Sequence, residues 1–220
     1  LPLFGRDVMA QDSNVVVGTW GGDYQNLLQK IVNPLAGAPV VFDTGNAVAR
    51  ATKVRAETKS RRGSMDVTLL QDVDMYDLSL VDPFEAVSVA NTPNFANTYE
   101  QFRTPYSIPH IFSAMVLVYN KEKIPTPPDS FAAATDPKYR GRVGFSDILH
   151  VANTLFVGLA NGGNMSSFKA GMDMLASIKK NDPKIFPSNE AVAAALKSGE
   201  IWMTCMWKAR ALQWQDAGLP

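Results

Sequence analysis

Val15-Val16-Val17-Gly18-Thr19-Trp20-Gly21-Gly22-Asp23-Tyr24 is the stretch that decides how this chain folds. A short apolar run stops at a tryptophan and two glycines, and a helical pattern begins directly after them. The order reads as buried strand, loop and helix. In an open parallel sheet, ligands sit outside the carboxyl ends of the strands, so Trp20 stands where such a loop would offer an aromatic face.

Two further strand–helix pairs follow. Leu27, Leu28 and Ile31 share one helical face until Asn33-Pro34, and Val40-Val41-Phe42 makes a second strand. Asp43-Thr44-Gly45-Asn46 is a turn, after which Ala47, Ala51 and Val54 recur at helical spacing as far as the basic run at Lys59 to Gly63. Met65 to Leu70 gives a third strand ending at Gln71-Asp72, and Val73 to Leu80 a short helix. Strands alternating with helices at this spacing predict an α/β lobe whose loops collect on one edge of a parallel sheet.

Prolines at 83, 93, 105 and 109 break residues 83–113 into irregular chain that wraps the lobe. Ala114 to Tyr119 is a strand, and the proline-rich exit from Asn120 to Pro128 marks the best domain boundary. Beyond it the pattern predicts a short helix at Ser130 to Ala134, a strand from Arg142 to Phe145 ending on Ser146-Asp147, and a helix from His150 to Ala160. Another helix spans Ser167 to Lys179. Ser188 caps a helix through Leu196 with Gly199 after it, Ile201 to Cys205 is a strand with Met206-Trp207 at its tip, and Arg210 to Asp216 is helical. There is no internal repeat.

Composition narrows the function. The 21 Lys plus Arg balance the 21 Asp plus Glu, so no summed positive field would select nucleic acid or an anionic membrane surface. Cys205 is the single cysteine, which excludes an intrachain disulfide and a multi-cysteine zinc site. No apolar run reaches the roughly 18 residues of a membrane span. Leu1-Pro2-Leu3-Phe4 followed by Val8-Met9-Ala10 reads as the tail of an export signal cut before Gln11.

Two motifs come close to enzymes and miss. A dinucleotide fingerprint needs G-x-G-x-x-G, whereas bulky Trp20 and charged Asp23 crowd the first loop, leaving Asp43 as a turn or capping residue. Gly144-Phe145-Ser146-Asp147-Ile148 lacks the last glycine of a nucleophile elbow, and His150 follows too closely. The only histidines, His110 and His150, belong to no metal-binding motif, so neither a metal nor a cofactor is expected.

What remains is a recurring arrangement: Trp20, Asp72, Ser146-Asp147 and Trp207 each follow an apolar strand at its carboxyl end. Two lobes presenting aromatics and carboxylates at strand tips imply a cleft for a small molecule. Cation–π attraction of roughly 0.5 to 2 kcal/mol and charge-assisted hydrogen bonds to carboxylate suit a cationic ligand. Thr44-Gly45-Asn46, however, opens a helix whose free amides favour an anion. Residue chemistry alone leaves a polyamine and an amino-acid-like zwitterion both open.

Several segments resemble the extracellular solute-binding proteins of bacterial ABC importers, in their spermidine/putrescine-type branch. They are Thr19-Trp20-Gly21-Gly22-Asp23-Tyr24, Met65-Asp66-Val67 through Gln71-Asp72, and Val118-Tyr119-Asn120-Lys121. Further on come Pro127-Pro128-Asp129-Ser130-Phe131, Asp136-Pro137-Lys138-Tyr139-Arg140-Gly141-Arg142-Val143, and Lys197-Ser198-Gly199-Glu200-Ile201-Trp202. The resemblance covers nearly all of Val15 to Pro220. It implies the two-lobed type 2 periplasmic-binding fold, an α/β architecture in which each lobe is a mostly parallel sheet flanked by helices, with the ligand cleft between lobes.

By position, the resemblance assigns the solute to Trp20 with Asp23, Asp72, Ser146 with Asp147, and Trp207; Thr44 joins them through its helix N-terminus. It implies a monomeric periplasmic receptor, not an enzyme, that delivers a polyamine such as putrescine or spermidine to an inner-membrane permease. Other ligands in the same branch are amino-acid derivatives, opines and phosphonates. Phe131 stands where the family commonly has Trp, which reads as a surface packing change. Iron-binding relatives carry adjacent tyrosines, and this sequence has no such pair. The expected division is an export remnant at 1–10, lobe I at 11–118 and lobe II at 119–220. The family's chain returns to the first lobe after the second, so a stop at Gly218-Leu219-Pro220 implies an incomplete lobe I. An enzyme built on the same fold, or the sensor domain of a larger receptor, are the competing classes.

Overall fold

The computed structural model describes residues 14–60 and 63–220. The expected export remnant at 1–10 and Arg61-Arg62 of the basic run lie outside the described residues. The chain divides into two compact units at His110/Ile111.

In the first unit, β1 (Val15–Thr19) is the middle strand, flanked by β2 (Val40–Thr44) and β3 (Val67–Thr68), and all three are parallel. Register runs from Val15 opposite Val40 to Thr19 opposite Thr44. The third strand is shorter than the apolar run at Met65 to Leu70 predicts. The reason is local: the Val16 amide donates to the Asp66 carboxylate at 2.8 Å, so a side chain takes a bond that a strand backbone would have made.

Three helices follow these strands: α1 (Asp23–Ile31), α2 (Ala47–Ser60) and α3 (Asp72–Ser79). Gly22 takes a φ of +67° to turn the chain from β1 into α1, a conformation that side chains with a Cβ resist. Residues 83–113 hold two 3₁₀ turns, Pro93–Asn97 and Glu100–Phe102. Their ring contacts include Phe84 stacked on Tyr106 at 6.4 Å.

The second unit opens with β4 (Met115–Tyr119), antiparallel to β7 (Met203–Trp207). The sequence reading ended lobe I at Val118, but the division falls after His110 and β4 pairs wholly inside the second unit. The proline-rich stretch after β4 likewise lies within this unit. Buried Asn120 fixes it there: its side-chain oxygen accepts from the Glu122 amide at 2.9 Å, and its side-chain nitrogen donates to the Leu196 carbonyl at 3.3 Å.

β5 (Gly144–Ser146) runs parallel to β6 (Lys184–Phe186), and a parallel bridge from Val143 to Met203 joins β5 to β7. The carboxyl ends of β5, β6 and β7 therefore point the same way. Around them pack α4 (His150–Ala160), α5 (Lys169–Lys179), α6 (Asn189–Ser198) and α7 (Lys208–Asp216). Ser188 caps α6 by accepting from the Ala191 amide at 3.1 Å.

Apolar burial organises this unit. One cluster gathers Ile124, Phe131, Val143, Val157, Ile178 and Met203; another gathers Leu149, Val192, Leu196, Ile201, Met206 and Trp214. Phe131 is 2% exposed, in edge contact with Phe145 at 5.7 Å and Phe156 at 5.9 Å. It is a core residue and not the surface change expected from sequence. The short 3₁₀ turn it begins, Phe131–Thr135, drives the ring inward.

Candidate functional site

In the first unit Trp20 follows β1, Thr44 ends β2, and Asp23 and Asp72 are the first residues of α1 and α3. Thr44 ends β2 opposite Thr19, and the Gly45 amide donates to the Thr19 carbonyl at 3.0 Å, so the first two loops are tied. Thr44, Asp23 and Asp72 are exposed, and Trp20 is half-buried. Asn46 opens α2 and accepts from the Ala49 amide at 2.8 Å. Asp43 is not a turn residue: it lies within β2 and pairs with Lys53 at 2.5 Å.

A residue that the sequence reading missed joins these loops. Arg50 of α2 is 3% exposed, and its guanidinium donates to the carbonyls of Thr19 at 2.9 Å, Leu69 at 2.5 Å and Gly45. Those three carbonyls lie at the carboxyl ends of β1, β3 and β2. The same guanidinium lies 5.0 Å from the centre of the Trp20 ring, a cation–π distance. Burial pulls its pKa below the usual arginine value, while Asp43 and Asp74 act through space to raise it. An arginine keeps its charge under such pressure, so the loops surround a buried cation.

Gly18 makes this possible. A Cβ there would stand 2.5 Å from the Met65 sulfur, 2.9 Å from Thr68 Oγ1 and 3.1 Å from Arg50 Cδ. The bare strand backbone is what lets the arginine stem cross β1. Two signals pointed to it: a glycine inside an apolar strand, and a charged residue at position 50 on the face shared by Ala47, Ala51 and Val54.

Trp20 also meets Tyr24 edge-on at 5.5 Å, and the Tyr24 hydroxyl shares a hydrogen bond of 2.7 Å with His110 Nε2. Burial raises the Tyr24 pKa and lowers that of His110, so both are held neutral. Arg50, Trp20, Tyr24 and His110 thus form a continuous chain of contacts.

In the second unit Ser146 ends β5, buried, with no hydrogen-bond partner for its hydroxyl among the described residues. Its carbonyl accepts from the Asn153 side chain at 3.1 Å, and Asn153 in turn accepts from the Cys205 thiol at 3.1 Å. Burial pushes that thiol's pKa far up, so Cys205 is a neutral packing residue. Asp147 is exposed and begins the turn into α4. Trp207 ends β7, half-buried against the second core cluster, and is shared between packing and the tip. Since β5 and β7 run parallel, Ser146, Asp147 and Trp207 occupy one edge of the unit.

Cavities of about 200 Å³ at Phe84 and Tyr106 and about 570 Å³ at Arg140 and Lys180 are lined by none of these residues. Among the described residues no group of three or more His, Cys, Asp or Glu could hold a metal ion, and no helix is long and apolar enough to cross a membrane.

Residues 33–220 match the family described as bacterial extracellular solute-binding protein, and the chain belongs to that family. No curated protein sequence matches it.

Solved structures share the two-lobed periplasmic-binding fold. An ABC transporter substrate-binding protein from Bradyrhizobium japonicum superposes with a TM-score of 0.81 at 21% identity, covering 94% of this chain and 67% of that one. A periplasmic binding protein from Agrobacterium tumefaciens, solved with agropinic acid, gives 0.75 at 19% identity over 94% and 66%. A spermidine/putrescine transporter substrate-binding protein from Streptococcus pneumoniae gives 0.69 at 16% over 93% and 65%. The chain spans about two thirds of the length of these relatives.

Proposed function

We propose that the chain is the periplasmic receptor of an ABC importer, binding a small amine-bearing solute on its strand-tip loops and passing it to an inner-membrane permease. The observation that supports this reading is that Trp20 follows β1, Thr44 ends β2 and Asp72 opens the helix after β3, on neighbouring strands of one parallel sheet, where α/β folds bind ligands. Aromatic faces and carboxylates attract ammonium groups, so Trp20, Asp23, Asp72, Asp147 and Trp207 suit a polyamine such as putrescine or spermidine. Ser146 adds a hydroxyl at the second unit's edge. The receptor works as a monomer and turns nothing over.

A second ligand reading has its own support. Arg50 places a cation under the same loops, which favours an amino-acid-like or opine solute that carries a carboxylate as well as an amine. The agropinic acid in the Agrobacterium protein is consistent with that chemistry on this fold.

Thermal shift and calorimetry of the full-length protein against polyamines, amino acids, opines and phosphonates test the proposal. The expected result is a ligand-dependent rise in melting temperature with the solute recovered intact. Consumption of the solute would instead make the protein an enzyme. Trp20→Ala is expected to weaken binding by about 1 to 3 kcal/mol, the size of aromatic and cation–π contributions; unchanged affinity would make Trp20 a packing residue.

A further inference from the structure

Arg50 touches all three strand tips of the first unit. Its guanidinium takes the carbonyls of Thr19, Gly45 and Leu69, residues 31, 5 and 19 positions away in sequence. All of its hydrogen bonds go to backbone carbonyls, and its Nε, 97% of the residue being buried, makes none. Nearby Asp43 is paired with Lys53. The cation is therefore not neutralised by a hydrogen-bonded carboxylate among the described residues.

Two consequences follow. One is mechanical: a planar fork anchored on three loops holds them in a single relative geometry, and by lying 5.0 Å from the Trp20 ring it occupies one face of that ring. The other is electrostatic. Only the opposite face of Trp20 is left to a solute, and an ammonium seated there would have a like charge across the same ring. An anionic group meets the reverse, an attractive field strengthened by the N-terminus of the 14-residue helix α2, which begins next to Gly45.

We propose that Arg50 is the positioning and specificity-determining residue of the first unit, fixing its three strand-tip loops and making them the seat for the carboxylate of an amino-acid-like solute. This rests on the receptor reading above and narrows its ligand: within the first unit the amine end of the solute is left to the exposed carboxylate of Asp72.

Ornithine and putrescine differ only by a carboxylate, which makes them the probe pair, with succinate as an amine-free control. Each is titrated calorimetrically into the full-length wild-type protein, Arg50→Met and Arg50→Lys, alongside melting curves. Wild type is expected to favour ornithine over putrescine by about tenfold or more, the scale of one charge-assisted contact. Arg50→Met is expected to erase that preference, and Arg50→Lys to retain part of it with weaker ornithine binding, since a lysine keeps charge but not the fork.

A wild type that favours putrescine overturns the proposal, as does a folded Arg50→Met that keeps the wild-type ornithine-to-putrescine ratio. Should Arg50→Met fail to fold, unchanged ornithine affinity in Arg50→Lys overturns it. If neither amine binds wild type, the amine reading fails by itself. Succinate binding that Arg50→Lys weakens then keeps the carboxylate seat, and no succinate binding removes it.

Discussion

The two units solve the same problem, holding loops at the ends of a parallel sheet, by different means. The second unit does it with apolar mass: Phe131, Ile178, Val192 and Met206 are sealed from solvent in two clusters that run beneath Ser146 and Trp207. In the first unit the buried apolar side chains among the described residues are Leu28, Leu70 and Leu78, while Ile31 and Leu35 stay 53% and 82% exposed. Its strand tips are held instead by the hydrogen bonds of Arg50. A core that interdigitates resists local opening, whereas loops fixed by one polar side chain can be reset by whatever perturbs it. The first unit is thus expected to open locally more readily than the second.

The comparison breaks most visibly in the second unit's core. Phe131→Ala is expected to cost about 3–5 kcal/mol, the range for deleting a buried aromatic, measured by denaturant unfolding of the full-length protein. Leu28→Ala in the first unit is expected at the low end of the aliphatic range, about 2 kcal/mol, because so few buried neighbours surround it. Equal losses for the two would erase the contrast.

Arg50→Met strands three carbonyls and is expected to lower stability by about 1–3 kcal/mol. Hydrogen exchange would report the loss in residues 15–80, with protection of α4 to α6 unchanged. Ser188→Ala removes the cap of α6 and is expected to cost about 1 kcal/mol, confined to the second unit. The smallest effect concerns His110. Burial lowers its pKa when folded, so the folded state favours neutral imidazole. The stability it contributes is complete above the unfolded value of about 6.5 and is lost as the pH falls from there towards the folded pKa. His110→Gln is expected to flatten that part of the stability profile, and an unchanged profile would mean that the Tyr24 contact does not depend on the proton.

Most of the framework was legible because strong periodicity and caps carry it. β1 and the helix at His150–Ala160 fall where the pattern predicts them, and Ser188 caps the helix it was expected to cap. The losses have physical causes. Lys184–Phe186 went unread as a strand because three residues after Asn181-Asp182-Pro183 hold too little pattern, and only pairing with β5 makes them one. The Ile201 strand starts two residues late, at Met203, and runs on through Trp207 because β4 supplies a partner along its whole length. At the candidate site, Trp20, Ser146 and Trp207 stand at strand ends as read, whereas Asp72 opens α3 and Thr44, read as part of a turn, ends β2. Arg50 was signalled only by Gly18 inside an apolar strand and by a charge on the apolar face of α2; its partners are backbone carbonyls, which leave no mark on side-chain identity.

The central claim, that solute binds at the strand tips of both units, is tested most directly by hydrogen exchange of the full-length protein with and without a solute that raises its melting temperature. The expected result is ligand-dependent protection at residues 19–24, 44–47 and 69–73 of the first unit together with 146–149 and 206–209 of the second. Protection confined to one unit, or lying at the Phe84 or Arg140 cavities while these loops stay unchanged, would contradict it.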